Sequence, residues 1–145
     1  MPQFAQILIV EDEETDVLLL RHAFEQAALH YELIVFHDGQ EAVDHLASIA
    51  QSNGAGPRLP DLVLLDLKMP CLDGFQVLAW RANQPGLKSV PFIVLTSSSH
   101  DSDRERARDL GAADFWVKPS SFQQLIAMAR DLDARWLTRK TQPPQ

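Results

Sequence analysis

Charged or hydroxyl-bearing side chains follow four of the short apolar runs in this 145-residue chain. They are, in chain order, Glu11 and Asp12 after the first run, Asp66 after the third, Thr96 after the fourth and Lys118 after the fifth. In an open α/β sheet, ligands bind beyond the carboxyl ends of the strands. If the runs are parallel strands, all of these side chains meet at one edge of one sheet.

Three carboxylates at one edge constrain the chemistry of such a site. At about 4 Å and an effective dielectric constant near 20, each carboxylate pair costs about 4 kcal/mol. Lys118 alone does not offset three negative charges, whereas a hard divalent cation does. Mg²⁺ prefers oxygen ligands and typically uses one or two protein carboxylates together with a phosphate. We therefore expect Mg²⁺ to be held by Asp12 with Glu11.

The remaining residues suit phosphoryl transfer beside that cation. Asp66 is the central carboxylate and a suitable nucleophile that would form an aspartyl phosphate. Phosphoryl transfer asks the protein mainly for positioning and charge neutralisation. Lys118 would pair with one phosphate oxygen, and the Thr96 hydroxyl would donate to another.

The apolar runs that precede these residues have the pattern of buried parallel strands. They are short, and they are rich in β-branched or aromatic residues. The five runs are Ile7–Val10, Leu33–Phe36, Leu62–Leu65, Phe92–Leu95 and Phe115–Val117.

Helical patterns fill the gaps between the runs, so the order of elements is strictly alternating. Start signals at Asp38, Asp73 and Ser121 each have Glu or Gln three residues later. Residues 101–110 are polar nearly all round and predict a loosely held helix. The helical segments are 15–29, 38–50, the turns after Asp73, 101–110 and 121–136. Strict alternation predicts an α/β fold, a doubly wound parallel sheet with helices on both faces.

Composition narrows the class of protein further. The net charge is −7, which disfavours binding to nucleic acid or to anionic membrane surfaces. Cys71 is the single cysteine, so an internal disulfide is excluded. We expect it to be an exposed thiol. No apolar run reaches the roughly 20 residues of a membrane span, and the amino terminus lacks the basic region of a signal peptide. We expect a single cytoplasmic domain over 1–145.

The combined pattern is similar to a known family. Glu11-Asp12, Asp66, Thr96 and Lys118-Pro119, with MPCLDG at 69–74, closely resemble the receiver domain of two-component response regulators. The resemblance covers about residues 6–137 and leaves 138–145 as a flexible tail.

This resemblance implies a flavodoxin-like sheet of five parallel strands in the order 2-1-3-4-5. It also implies that a histidine kinase phosphorylates Asp66 in a Mg²⁺-dependent reaction. The implied Mg²⁺ ligands are Glu11, Asp12, Asp66 and the backbone carbonyl of Lys68. The implied switch residues are Thr96 with Lys118, and Phe115 at the position of the switch aromatic; the implied Lys118–Pro119 bond is cis.

The resemblance also implies that the chain signals by binding other proteins. No output domain is expected, so the chain would act through contacts with a kinase, a phosphotransfer or downstream protein, or a second copy in a homodimer. A homodimer would form through the last helix and strand. The long linker at 51–60 and the short tail resemble the stand-alone regulators that are paired with bacterial phytochromes.

Two other functions fit part of the pattern. A phosphatase of the haloacid-dehalogenase type also places an Asp nucleophile after a strand, but it needs a second acid where Lys68 stands and a larger insertion than 51–60. A degenerate receiver could serve as an unphosphorylated docking module, although it has no need of the complete set of site residues. Asp66 could also be a turn cap, and EDEETD at 11–16 a solvated start of a helix.

Overall fold

Five parallel strands form one sheet in the order β2-β1-β3-β4-β5. The computed structural model describes residues 4–52, 56 and 58–137. The strands are β1 (Gln6–Val10), β2 (Glu32–Phe36), β3 (Leu62–Leu65), β4 (Phe92–Thr96) and β5 (Asp114–Val117). This confirms the predicted strands to within one residue, and it confirms the fold class and the strand order.

Helices connect the strands and cover both faces of the sheet. They are α1 (Glu14–Gln26), α2 (Gly39–Gln51), α3 (Gly74–Ala82), α4 (Asp101–Asp109) and α5 (Phe122–Leu132). A short 3₁₀ turn at Pro85–Leu87 precedes β4, and a π-type turn at Asp133–Leu137 extends α5. Part of the 51–60 linker and the predicted tail at 138–145 lie outside the described residues. In the part of the chain that is described, every helix is too short or too polar to cross a membrane.

All three predicted helix starts are confirmed by capping hydrogen bonds. Asp38 accepts a hydrogen bond from the Glu41 amide, and Ser121 accepts one from the Gln124 amide. Asp73 and Gln76 form a complete capping box at the start of α3. Each cap satisfies an amide that has no partner within its own helix.

The first helix ends earlier than predicted. The apolar stripe suggested a helix to residue 29, but α1 stops at Gln26 and Ala28 takes a left-handed conformation with φ 58°. The Leu29 amide turns back and donates to the Phe24 carbonyl at 3.0 Å. A left-handed residue closes a helix in this way, and side-chain spacing alone does not reveal it.

The core has one layer on each side of the sheet. The first layer packs α2, α3 and α4 against alternate residues of the strands, including Leu65, Val94 and Phe115. The second layer packs α1 and α5 against the other residues, including Ile9 and Leu64. The three central strands, β1, β3 and β4, are thus buried on both faces, which is why their sequences are nearly continuous apolar runs.

Candidate functional site

The register of the sheet brings the predicted site residues to one edge. Val10 of β1 pairs with Leu65 of β3, so the residues that follow them, Glu11 and Asp66, emerge side by side. The Asp66 amide donates to the Val10 carbonyl at 3.0 Å. At the other side, the Lys118 amide donates to the Thr96 carbonyl at 2.7 Å, which extends the pairing of β4 with β5.

Lys118 bridges three carboxylates. Its Nζ lies 2.6 Å from Glu11 Oε1, 2.8 Å from Asp16 Oδ2 and 3.0 Å from Asp66 Oδ2. The lysine side chain is only 18% exposed, and those of Glu11 and Asp66 are less exposed still. An ammonium group has three N–H donors, so these three acceptors use its full donor capacity.

Glu11, Asp12 and Asp66 form a group that fits a divalent cation. One carboxylate oxygen from each residue lies within 4.8 Å of the others. All three ligand atoms are hard oxygens, which suit Mg²⁺, Mn²⁺ or Ca²⁺ rather than zinc. Asp66 also accepts a hydrogen bond from the Leu67 amide at 2.7 Å, which fixes one of its oxygens. The role of the Lys68 carbonyl stays a prediction.

Glu11 is the carboxylate most affected by this crowding. Its pKa is raised to about 7, mainly because burial disfavours the charged form, and the negative charge of Asp66 adds to the effect. Hydrogen bonds from Lys118 and from the Glu13 amide act in the opposite direction. Burial also disfavours the charged form of Lys118, but hydrogen bonds to Asp16 and Glu11 and the charge of Asp66 raise its pKa overall.

Thr96 is fully buried at the end of β4 and connects to α4 through Ser98. The Ser98 amide lies 3.4 Å from Thr96 Oγ1, and Ser98 Oγ donates to Asp103 Oδ2 at 2.5 Å. Asp103 belongs to the first turn of α4. Two hydrogen bonds therefore link the Thr96 hydroxyl to α4.

Phe115 points into the core in this structure. It is 8% exposed and packs in the layer that contains α4. The Arg104 guanidinium lies over its ring, 4.8 Å from the centroid, and Nη1 donates to the Phe115 carbonyl at 3.4 Å. Arg104 therefore covers the predicted switch aromatic, a contact that the sequence pattern did not indicate. The switching of Phe115 itself remains a prediction.

The prediction of a cis Lys118–Pro119 bond is wrong. No cis peptide bond occurs among the described residues, and the Lys118–Pro119 bond is trans. The trans form of an X–Pro bond is favoured by about 0.5–1 kcal/mol. Lys118 reaches Asp66 with the bond in this form, so the contact itself does not require the cis form.

One residue of the site was missed by the sequence analysis. The sequence pattern indicated only that Asp16 belongs to the solvated start of a helix. In the structure its carboxylate lies within hydrogen-bonding distance of Lys118. The available signal was its position in the first turn of the helix that follows Glu11 and Asp12. By contrast, Cys71 is exposed as expected, and its φ is 69°.

Comparison with known proteins defines the class to which this fold and site belong. Residues 7–130 match the family model of the response regulator receiver domain. The chain therefore belongs to the response regulator receiver family, the signalling domains of two-component systems.

Two relatives match over most of their length. The chain is 34% identical over 131 residues to the probable methanogenesis regulatory protein FilR2 of Methanothrix harundinacea, covering 90% of this chain and 83% of that protein. It is 33% identical over 137 residues to the response regulator Rcp1 of Synechocystis sp., covering 94% and 92%.

Solved structures agree with the sequence comparison. The phosphorylated cyanobacterial phytochrome response regulator RcpA superimposes with a TM-score of 0.81 at 32% identity, covering 97% of this chain and 99% of that one. The Mn²⁺-bound form of Rcp1 superimposes with a TM-score of 0.78 at 30% identity, with the same coverage.

Proposed function

We propose that this protein is a stand-alone response regulator that accepts a phosphoryl group on Asp66 from a histidine kinase, with Mg²⁺ as the cofactor. The observation that carries the proposal is the surroundings of Asp66. Its side chain lies 3.0 Å from the Lys118 amine and within 4.8 Å of carboxylate oxygens from Glu11 and Asp12. A nucleophile between a cation site and an amine is suited to phosphoryl transfer.

The transfer step involves few bonds. A carboxylate oxygen of Asp66 attacks the phosphorus of a phosphorylated histidine, and an O–P bond forms. The P–N bond breaks, its electron pair stays on the imidazole nitrogen, and that nitrogen takes a proton from solvent. Bound Mg²⁺ would neutralise charge on the phosphoryl oxygens. Glu11 and Asp12 would hold it with Asp66, together with the Lys68 carbonyl.

The product would rearrange the residues around Asp66. The ammonium of Lys118 would turn from the carboxylates to a phosphoryl oxygen, and the buried Thr96 hydroxyl would donate to another. Thr96 is linked through Ser98 to Asp103 of α4, so its movement would be felt at that helix. The Phe115 ring beneath Arg104 is the side chain that we expect to respond.

Similar proteins indicate the partners. RcpA is named as a phytochrome response regulator, and Rcp1 is matched over 92% of its own length. We infer that the kinase is a bacterial phytochrome and that signalling takes place in the cytoplasm. Downstream contacts, with a phosphotransfer protein, another target or a second copy, would use the α4-β5-α5 face, where Val117 and Phe122 expose apolar surface.

Intact-protein mass spectrometry tests the proposal. Wild-type protein incubated with acetyl phosphate and Mg²⁺ should gain one phosphoryl group that hydroxylamine removes, since acyl phosphates are labile to this nucleophile. The adduct should be lost without Mg²⁺ and in Asp66→Asn. Asp109→Asn, which changes an exposed aspartate of α4, is the matched control and should react like the wild type.

Three results would count against this function. An adduct that persists in Asp66→Asn would move the acceptor to another residue. Wild-type protein that binds Mg²⁺ yet gains no adduct, from acetyl phosphate or from a phosphorylated phytochrome kinase, would indicate an unphosphorylated docking module. Sustained turnover of a generic phosphomonoester would instead support the phosphatase alternative.

A further inference from the structure

The three carboxylates around Lys118 differ in one respect. Glu11 and Asp66 belong to the group that fits a divalent cation, whereas Asp16 does not. Asp16 lies in the first turn of α1, and its side chain is 34% exposed. It nonetheless approaches Lys118 Nζ to 2.8 Å, closer than Asp66 does.

Lys118 and a bound cation would compete for the same two carboxylates. The ammonium contacts Glu11 Oε1 and Asp66 Oδ2, and a divalent cation would draw on the carboxylates of the same two residues. Two cations held on shared carboxylates repel each other. Binding of the metal would therefore weaken the contacts of Lys118 to Glu11 and Asp66, and a third acceptor nearby would then hold the ammonium.

Asp16 is an acceptor in the right place, and the fold leaves space for the lysine to move. Lys118 and Asp16 both line a small pocket of about 50 Å³ between α1 and α5. The apolar part of its wall consists of Leu19, Leu20, Leu95, Pro119 and Leu125. The pocket gives the aliphatic stem of Lys118 an apolar wall and some room to adjust while the ammonium stays on Asp16.

We propose that Asp16 is a positioning residue that holds Lys118 when Glu11 and Asp66 bind the divalent cation. By keeping the ammonium away from the metal ligands, Asp16 strengthens metal binding without contacting the metal. The inference rests on the metal site of the proposed function. It assigns a role to a carboxylate outside the cation-binding group.

A simpler explanation must be separated from this one. Asp16 adds a negative charge near the site, and any such charge attracts a divalent cation. That attraction does not depend on Lys118, whereas the proposed role does. Glu14 provides a matched control, since it is an exposed acid in the same first turn of α1.

Isothermal titration with Mg²⁺ alone, without a phosphoryl donor, tests the proposal in a double-mutant cycle. We expect Asp16→Asn to weaken Mg²⁺ affinity about fivefold and Glu14→Gln to change it less than about twofold. Lys118→Gln should strengthen binding, because the competing ammonium is removed. In the Lys118→Gln background, Asp16→Asn should change affinity less than about twofold. Asp16→Glu, which keeps the carboxylate, should retain much of the wild-type affinity.

The outcomes separate this inference from the proposed function. If Asp16→Asn binds Mg²⁺ as the wild type does, or weakens it equally in both backgrounds, Asp16 is not the positioning partner of Lys118. The metal site and Asp66 phosphorylation would stand in either case. If wild-type protein binds no Mg²⁺, the proposed function and this inference both fail.

Discussion

Glu11 is a buried carboxylate whose negative charge is only partly compensated by its neighbours. It is 3% exposed and shares its surroundings with Asp66, yet it contacts the Lys118 ammonium at 2.6 Å. Burial of a carboxylate is tolerated when a cation and hydrogen bonds compensate it. Here the compensation is incomplete, because the pKa of Glu11 is still raised to about 7. A divalent cation at the group of Glu11, Asp12 and Asp66 would add to this compensation.

This shift predicts how stability depends on pH without metal. The pKa of Glu11 rises from 4.5 in the unfolded chain to about 7 in the folded protein. Between these two values the folded state keeps a proton that the unfolded state loses. The contribution of this proton to the free energy of unfolding is therefore complete below pH 4.5 and is lost as the pH rises toward 7. Relative to Glu11→Gln, the wild type should lose up to about 3 kcal/mol over this range, since one pKa unit is about 1.4 kcal/mol.

Urea unfolding in EDTA at pH 5 and pH 8 measures this difference. Comparing the wild type with Glu11→Gln at each pH cancels the titration of groups that do not interact with residue 11. A constant difference in the free energy of unfolding at the two pH values would mean that Glu11 ionises normally.

Among the helices, α4 is held by far fewer apolar contacts than its neighbours. Of its nine residues only Ala107 is buried, as its polar sequence predicts. Helix α3 has the same length but buries Gly74, Val77 and Leu78. Two polar contacts attach α4 to the rest of the domain: Asp103 accepts a hydrogen bond from Ser98, just after β4, and Arg104 donates one to the Phe115 carbonyl of β5. Both attachments lie close to the predicted switch residues.

We expect α4 to open locally more often than α3. Helices with little buried apolar surface exchange their amide hydrogens through low-energy local opening. Hydrogen–deuterium exchange followed by mass spectrometry should show faster exchange in Asp101–Asp109 than in Gly74–Ala82, by about tenfold or more. Equal rates in these two helices of equal length would show that the polar contacts alone hold α4 as firmly as a buried face.

At the scale of the whole molecule, the site is assembled by four different strand ends. Glu11 and Asp12 follow β1, Asp66 follows β3, Thr96 ends β4 and Lys118 follows β5. No two of these segments are adjacent in sequence, so the site forms only when β1, β3, β4 and β5 are paired in register. Metal binding and folding of the domain should therefore be coupled.

The coupling predicts that Mg²⁺ stabilises the whole domain. At tenfold above its Kd, Mg²⁺ should raise the free energy of unfolding by about 1.4 kcal/mol, because it binds only the folded state. Chemical denaturation with Mg²⁺ and with EDTA measures the difference. Asp12→Ala should remove most of this effect. Full Mg²⁺ stabilisation in Asp12→Ala would place the metal away from the predicted ligands.

Much of this protein follows from local patterns in its sequence. Short β-branched runs gave the five strands, and the signals at Asp38, Asp73 and Ser121 gave three helix starts. The alternation of the two element types then indicated a parallel sheet. Because parallel strands present their carboxyl ends on one side, the sequence was enough to group Asp66 with Lys118 and the acidic pair of β1 at that edge.

The tertiary structure decided what depends on distances between segments far apart in the chain. The contact of Asp16 with Lys118 joins α1 to the residue after β5, and the contact of Arg104 with Phe115 joins α4 to β5 itself. Helical or strand periodicity carries no information about such contacts. The early end of α1 at a left-handed Ala28 and the trans Lys118–Pro119 bond were likewise set by the folded backbone. The sequence by itself determined which chemical groups reach the sheet edge. Packing of α1 and α4 against that edge decided which of those groups are paired, because hydrogen bonds and ion pairs act only over a few ångströms.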